Sequence, residues 1–139
     1  MELSSTKFDA KFPLRGLTVG GFATMGVVDV PAEAPLEEIA ATMAAHGVHA
    51  VVVEMDTDWG IVSDSDLVSA LASGESSHLL AKDIVGTEVV AVTCDDALDR
   101  ATQLMAEHGL THLIVTGGGT EPIGVISTFD LARALALRL

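Results

Sequence analysis

Cysteine occurs once in the 139 residues, at Cys94, which excludes an internal disulfide and a cysteine-rich zinc site. Lysine and arginine number seven against twenty acidic residues, and nowhere do they cluster. A net charge of −13 without a basic face excludes general nucleic-acid binding, which needs cations set against phosphates. No run of about 18 apolar residues is present, so no membrane span is expected. Met1–Lys7 lacks the apolar stretch of a signal peptide, and cytoplasmic residence is the expectation. Aromatics are scarce at 4%, whereas 49% of residues are hydrophobic, chiefly Ala, Val and Leu. The core is therefore built from small and branched aliphatics, in one domain or in two small halves that share it.

What the chain does have is a repeat. Leu36, Met43, His46 and Gly47 return as Leu98, Met105, His108 and Gly109, each 62 positions later. Past a small length difference in one loop, Gly60-Ile-Val-Ser63-Asp-Ser-Asp66-Leu67 returns as Gly124-Val-Ile-Ser127-Thr-Phe-Asp130-Leu131. A repeat of this length is a supersecondary unit, and two copies can bury their apolar faces together.

Residues 1–18 read as a polar lead-in with apolar anchors at Phe8, Phe12, Leu14 and Leu17. The first copy spans 19–75. It has a strand at 27–30 closed by Pro31, a helix with Leu36, Ile39, Ala40 and Met43 on one stripe, and a buried strand at 50–53. Pro35 suits the first turn of that helix and Gly47 its end. A turn at 55–59, a hairpin partner at 60–62 and a helix at 67–72 follow, then the Ser73–Ser77 linker. The second copy spans 81–137 with strands at 89–92, 113–115 and 123–126 and helices at 98–108 and 129–137; Asp96 reads as an N-cap. Met55 and Trp59 read as a cap on the core beneath the first hairpin. The fold class is α/β, with β-α-β-β-α occurring twice.

Ser63-x-x-Asp66 and Ser127-x-x-Asp130 admit two readings. As capping boxes they only finish a helix. As a site, a strand running into a helix leaves free N–H groups and a hydroxyl suited to an anion, while the carboxylate accepts from paired sugar hydroxyls.

These residues resemble the CBS domain, and the tandem resembles a CBS pair, or Bateman module, over about residues 17–137. The resemblance rests on Val19–Thr24 and Lys82–Val85 before the first strands, on His46–Val53 and His108–Val115, and on the two Gly-h-h-Ser-x-x-Asp ends. It implies a non-catalytic regulatory module, with the two repeats packed pseudo-two-fold through their small sheets. Such pairs bind AMP, ADP, ATP or S-adenosylmethionine in clefts between the repeats, and they commonly form homodimers. Carried over, Asp66 and Asp130 hold ribose hydroxyls, and Ser63, Ser65 and Ser127 approach ribose or phosphate. His49 and His112 fall where the family presents His or Arg to phosphates, and Thr24 and the backbone at Val27 and Val28 stand near the base. No cofactor is required; the ligand is adenosyl, with or without Mg²⁺, and its effect passes to a regulated partner protein.

Departures from the family narrow the ligand. Asp64-Ser65 and Thr128-Phe129 stand where basic residues often flank the motif, and Asp83 and Glu88 add negative charge. Desolvating a triphosphate without a cation costs several kcal/mol, and a helix N-terminus returns at most about 2 kcal/mol. AMP, adenosine, S-adenosylmethionine or a Mg²⁺-bound nucleotide is the expectation, at the first copy, because Phe129 would crowd the second. Ala70, Ala72, Ala132 and Ala134 are the small residues expected at a dimer contact.

Two rivals stay open: a ligand-free structural or dimerisation module, and a histidine-dependent metal hydrolase. Against the second, His46/His49 and His108/His112 each straddle a helix-ending Gly, and no third ligand is evident. His46 and His108 suit the helix C-terminal dipole. No Gly-x-Ser-x-Gly elbow exists, Gly117–Gly119 lacks the lysine of a phosphate loop, and Asp95 and Asp96 beside Cys94 work against a reactive thiolate.

Overall fold

The computed structural model describes residues 11–86 and 89–138; Phe8 and Glu88 lie outside them. In chain order the elements are β1 (Thr24–Met25), β2 (Asp29–Pro31), α1 (Leu36–His46), β3 (Ala50–Glu54), β4 (Trp59–Ser63), α2 (Asp64–Ala72) and α3 (Ala81–Ile84). Then come β5 (Ala91–Thr93), α4 (Leu98–His108), β6 (His112–Thr116), β7 (Pro122–Ser127) and α5 (Thr128–Arg138). Strand, helix, strand, strand, helix thus occurs twice, as tandem α/β repeats.

Two compact units result: a central one, Val27–Val89, and a split one that joins the stretch up to and including Gly26 to the stretch from Val90 onward. The central sheet has the order β2-β3-β4, with β2 parallel and β4 antiparallel to β3. The split unit has the order β1-β7-β6-β5, so a fourth strand from near the N-terminus is added at its edge. Register repeats with the sequence. Val30 pairs with Val53 and Val92 with Val115, both 62 positions on. Between the pairs Val53↔Gly60 and Val115↔Gly124 lie six residues (54–59) and eight (116–123); a register shift at Val115/Thr116 and a longer loop take up the difference.

Each unit has its own core, lined by corresponding positions. Val30, Leu36, Ile39, Met43, Val51, Val53, Val62 and Ala70 fill the central unit. Val92, Leu98, Ala101, Met105, Leu113, Val115, Ile126 and Ala134 fill the split unit. Ile39 shrinks to Ala101 while Val51 and Val62 grow to Leu113 and Ile126, the offsetting kind of change that packed cores accept. Ala70 and Ala134 are buried within these cores, which removes them from the expected dimer contact. Met55 packs against the edge of the central core, as expected of a cap, and Trp59 is half-buried in β4.

Each of the two lead-in segments serves the other copy of the repeat. Val19 N–H donates to the Asp96 carbonyl (2.9 Å) and Gly20 N–H to that of Cys94 (3.0 Å), within the split unit. Shifted by 62, Ala81 N–H donates to the Ala34 carbonyl (2.8 Å) and Lys82 N–H to that of Ala32 (2.9 Å), within the central unit. The segment that precedes each repeat's first strand is therefore built into the other repeat, ending in edge strand β1 in the split unit and forming the short helix α3 in the central unit. Each passes over the glycine that opens Gly-h-h-Ser. A Cβ at Gly124 would stand 2.6 Å from the Thr24 carbonyl oxygen, and one at Gly60 would stand 2.8 Å from Val85 Cγ1.

Several boundaries move from their sequence expectation, each for a local reason. β2 begins at Asp29 rather than residue 27 and takes in Pro31, and β5 is Ala91–Thr93 rather than 89–92. α2 begins at Asp64, three residues before the apolar stripe, because Ser63 caps it. Asp96 is not an N-cap: Ala97 holds that position without a side-chain bond. The Asp96 carboxylate reaches back to accept the Thr93 N–H at 2.8 Å, closing the turn after β5. Gly47 (φ 62°) and Gly109 (φ 64°) end α1 and α4 in the left-handed conformation, where glycine avoids the Cβ clash.

Overpacking costs about 1–3 kcal/mol, and a backbone oxygen yields less readily than a valine side chain. Urea unfolding of Gly124→Ala should show a loss near the top of that range, larger than for Gly60→Ala. The reverse order would show that the β1 crossing is not the tighter of the two.

Candidate functional site

At Ser63 the chain leaves β4 and enters α2; at Ser127 it leaves β7 and enters α5. Extended backbone at Ser63 (φ −95°, ψ 168°) turns its hydroxyl onto the first helical turn, where unpaired N–H groups collect. Ser63 N–H donates to Asp66 Oδ2 at 2.8 Å, Ser63 Oγ donates to the same oxygen at 3.0 Å, and Asp66 N–H donates to Ser63 Oγ at 3.3 Å. The second copy has the same three bonds among Ser127 and Asp130, at 2.8, 3.0 and 3.3 Å. Both motifs are closed capping boxes.

The copies differ at the other carboxylate oxygen. Asp66 is half-buried, and its Oδ1 has no hydrogen-bond partner among the described residues. Asp130 is buried at 6% exposure, and its Oδ1 accepts from Arg133 Nη2 at 3.3 Å. The same nitrogen donates to the Phe22 carbonyl at 3.0 Å. Sequence reading missed Arg133; its signal was the spacing of three from Asp130 on one helical face, with Ser69 at the corresponding place in the first copy.

Ser65 Oγ lies 2.8 Å from Ser63 Oγ. Since the Ser63 proton goes to Asp66, Ser65 is the donor there, and its own lone pairs are left to accept. Its counterpart Phe129 is 70% exposed and takes no part in the Ser127 box.

The two histidines are not counterparts. His49 precedes β3, and its carbonyl accepts the Asp64 N–H at 2.9 Å; the matching bond in the split unit joins Thr128 N–H to the Thr111 carbonyl at 3.0 Å. Thr111 therefore corresponds to His49, and His112 lies one residue further, inside β6 and paired with Ser127. His49 Nδ1 is 3.0 Å from Asp64 Oδ2, with both side chains largely exposed, a pair of little energetic weight. Thr24 is exposed in β1 opposite Val125, two residues before Ser127. Val28 is half-buried against the central core, and its carbonyl accepts the Val52 N–H at 2.9 Å. The structure thus brings Ser63, Ser65 and Asp66 together, and Ser127 and Asp130 with Arg133. Asp83 accepts the Leu80 N–H at 2.9 Å and so serves its own turn. Among the described residues no group of three or more His, Cys, Asp or Glu side chains could hold a metal ion. No helix among them is long and apolar enough to cross a membrane.

The CBS domain family matches residues 19–73 and 81–137, and the chain belongs to it as a tandem pair. CBS-domain pairs are typically non-catalytic regulatory modules. An uncharacterized protein of Methanopyrus kandleri is 29% identical over 124 residues, 86% of this chain and 63% of that protein. The chain spans no more than 22% of three further curated relatives. Among solved structures, the CBS domain protein PAE2072 from Pyrobaculum aerophilum complexed with AMP is 25% identical, with a TM-score of 0.75 over 88% of this chain and 98% of that one. The CBS domain pair of protein MJ0100, in complex with 5′-methylthioadenosine and S-adenosyl-L-methionine, has a TM-score of 0.79 at 15% identity, covering 88% and 98%.

Replacing a capping serine by alanine costs about 0.5–2 kcal/mol. Ser127→Ala should cost more than Ser63→Ala in chemical denaturation, because the carboxylate that loses its hydroxyl donor is buried at Asp130 and half-exposed at Asp66. Equal losses would show that water replaces either hydroxyl equally well.

Proposed function

We propose that this CBS-domain pair senses an adenosyl ligand at the Asp66 copy and passes its occupancy to a partner protein. The observation that carries the reading is the open Oδ1 of Asp66 beside Ser65 at the start of α2. A carboxylate oxygen accepts both hydroxyls of a ribose diol, and neutral sugar hydroxyls suit a site without an adjacent cation. The N-terminus of α2 adds weak attraction for a phosphate or carboxylate, with His49 close to it through Asp64. In a chain of net charge −13, that favours AMP, adenosine or S-adenosylmethionine over a bare triphosphate. Two relatives of this fold hold AMP, or 5′-methylthioadenosine with S-adenosyl-L-methionine, and they support the ligand class.

The closed capping boxes favour a second reading, a structural module that binds nothing. Thermal-shift titration with AMP, ADP, ATP, adenosine and S-adenosylmethionine, with and without Mg²⁺, separates the two. A binder at about 100-fold over Kd adds about 2.7 kcal/mol of stability, and Asp66→Ala should remove most of the shift. No shift with any of the five selects the structural module.

The chain is also proposed to act as a homodimer through the apolar faces of α2 and α5. Val68 and Leu71 are 65% and 64% exposed on α2, and Phe129 and Leu137 are 70% and 76% exposed on α5; apolar side chains grouped on a helix face suit an interaction surface. A second copy of the chain, carrying the same two faces, is a self-complementary occupant. Leu71→Glu combined with Leu137→Glu should convert a dimer to a monomer in sedimentation velocity while leaving circular dichroism unchanged. A monomeric parent would refute the dimer.

A further inference from the structure

We propose that Arg133 is the residue that makes the two Ser-x-x-Asp copies inequivalent: it closes Asp130 to a ribose diol, so that each chain takes one adenosyl ligand, at Asp66. This rests on the adenosyl reading above and goes beyond it by assigning stoichiometry and the side chain that sets it. The two boxes are superimposable in their three internal bonds, so the motif alone predicts two equal sites. Both boxes spend Oδ2 on the helix and leave Oδ1. In the second copy Arg133 Nη2 takes that oxygen at 3.3 Å, and it uses its other N–H on the Phe22 carbonyl at 3.0 Å.

A diol aimed at Asp130 competes with a charge-assisted bond to a buried carboxylate, made by a guanidinium that the Phe22 carbonyl also holds in place. At Asp66 nothing has to be displaced, because Ser69 stands where Arg133 would and Oδ1 has no hydrogen-bond partner among the described residues. Arg133 is itself 47% exposed on its side chain, so it can be removed without opening the core. Phe22 lies just before β1, and the bond to it ties the last helix to the strand that edges the sheet. Arg133 is thus a positioning residue for the lead-in and a selector between the copies.

Isothermal titration of the full chain with adenosine tests this, because adenosine carries the diol and no phosphate for the arginine to attract. The parent should bind one equivalent, lost in Asp66→Ala and at least tenfold weaker for 2′-deoxyadenosine. Arg133→Met should bind two equivalents, the second lost on adding Asp130→Asn. Amide exchange at Ala23–Met25 should also rise in Arg133→Met. If that variant loses its circular dichroism, Arg133→Gln, which keeps an amide donor without the charge, replaces it. Two equivalents in the parent, or one in a folded Arg133 variant, overturns the selector. No binding in either protein is a different pattern, and it overturns the adenosyl reading together with the selector.

Discussion

The crossing of each lead-in over a glycine is the constraint on which the rest of this molecule depends. Val19–Met25 covers Gly124, and Ala81–Val85 covers Gly60, at separations no Cβ could share. Those glycines lie in the strands that run into Ser127 and Ser63, so each close approach also constrains the strand that leads to a capping box. A repeat cut out at its linear boundaries would lose the segment that closes its turn. Chain connectivity therefore builds each unit from parts of both copies. That explains why a chain with so few aromatics forms two small cores without disulfides.

Identical local chemistry leads to different outcomes at the two boxes because burial differs. A carboxylate at 6% exposure needs partners for its lone pairs, and Asp130 meets that need with Ser127 and Arg133. Asp66 is half-buried, so its second oxygen can rely on water and remain available. Neither state is visible in the Ser-x-x-Asp pattern itself. It is decided by a residue one turn further along the helix.

Much of the fold was legible in the sequence for a definite reason. Buried positions in both units recur at a fixed spacing, and periodicity records burial directly: Leu36 and Leu98, Met43 and Met105, Val53 and Val115 all line the cores as the repeat implies. Gly47 and Gly109 ended their helices as expected because a left-handed residue leaves a mark in composition. The lead-in exchange was not legible, since backbone pairing between segments far apart in sequence leaves no periodic trace. Asp96 misled because its side chain reaches the Thr93 N–H as readily as it would reach a helix terminus. His49 and His112 stand one residue out of register between the copies, and one residue along a strand changes which face a side chain occupies.

The structural and ligand-binding accounts of Ser-x-x-Asp are not alternatives at the level of atoms. A capping box uses the serine hydroxyl, two backbone N–H groups and one carboxylate oxygen, and it leaves the other oxygen unassigned. Helix stability therefore explains the motif's presence in both copies without explaining what Oδ1 does. In the second copy Oδ1 is matched by a cation drawn from a chain that has only seven lysines and arginines, one of which is placed where it can reach both a buried carboxylate and a backbone carbonyl. The buried Asp130 carboxylate is costly to leave unpaired, and that makes the arginine a durable plug. In the first copy the corresponding serine leaves Oδ1 to solvent, and Ser65 sits beside the box with lone pairs to spare. The pattern that makes a repeat recognisable is thus the part both copies share for folding. Selectivity resides in the positions where the copies diverge.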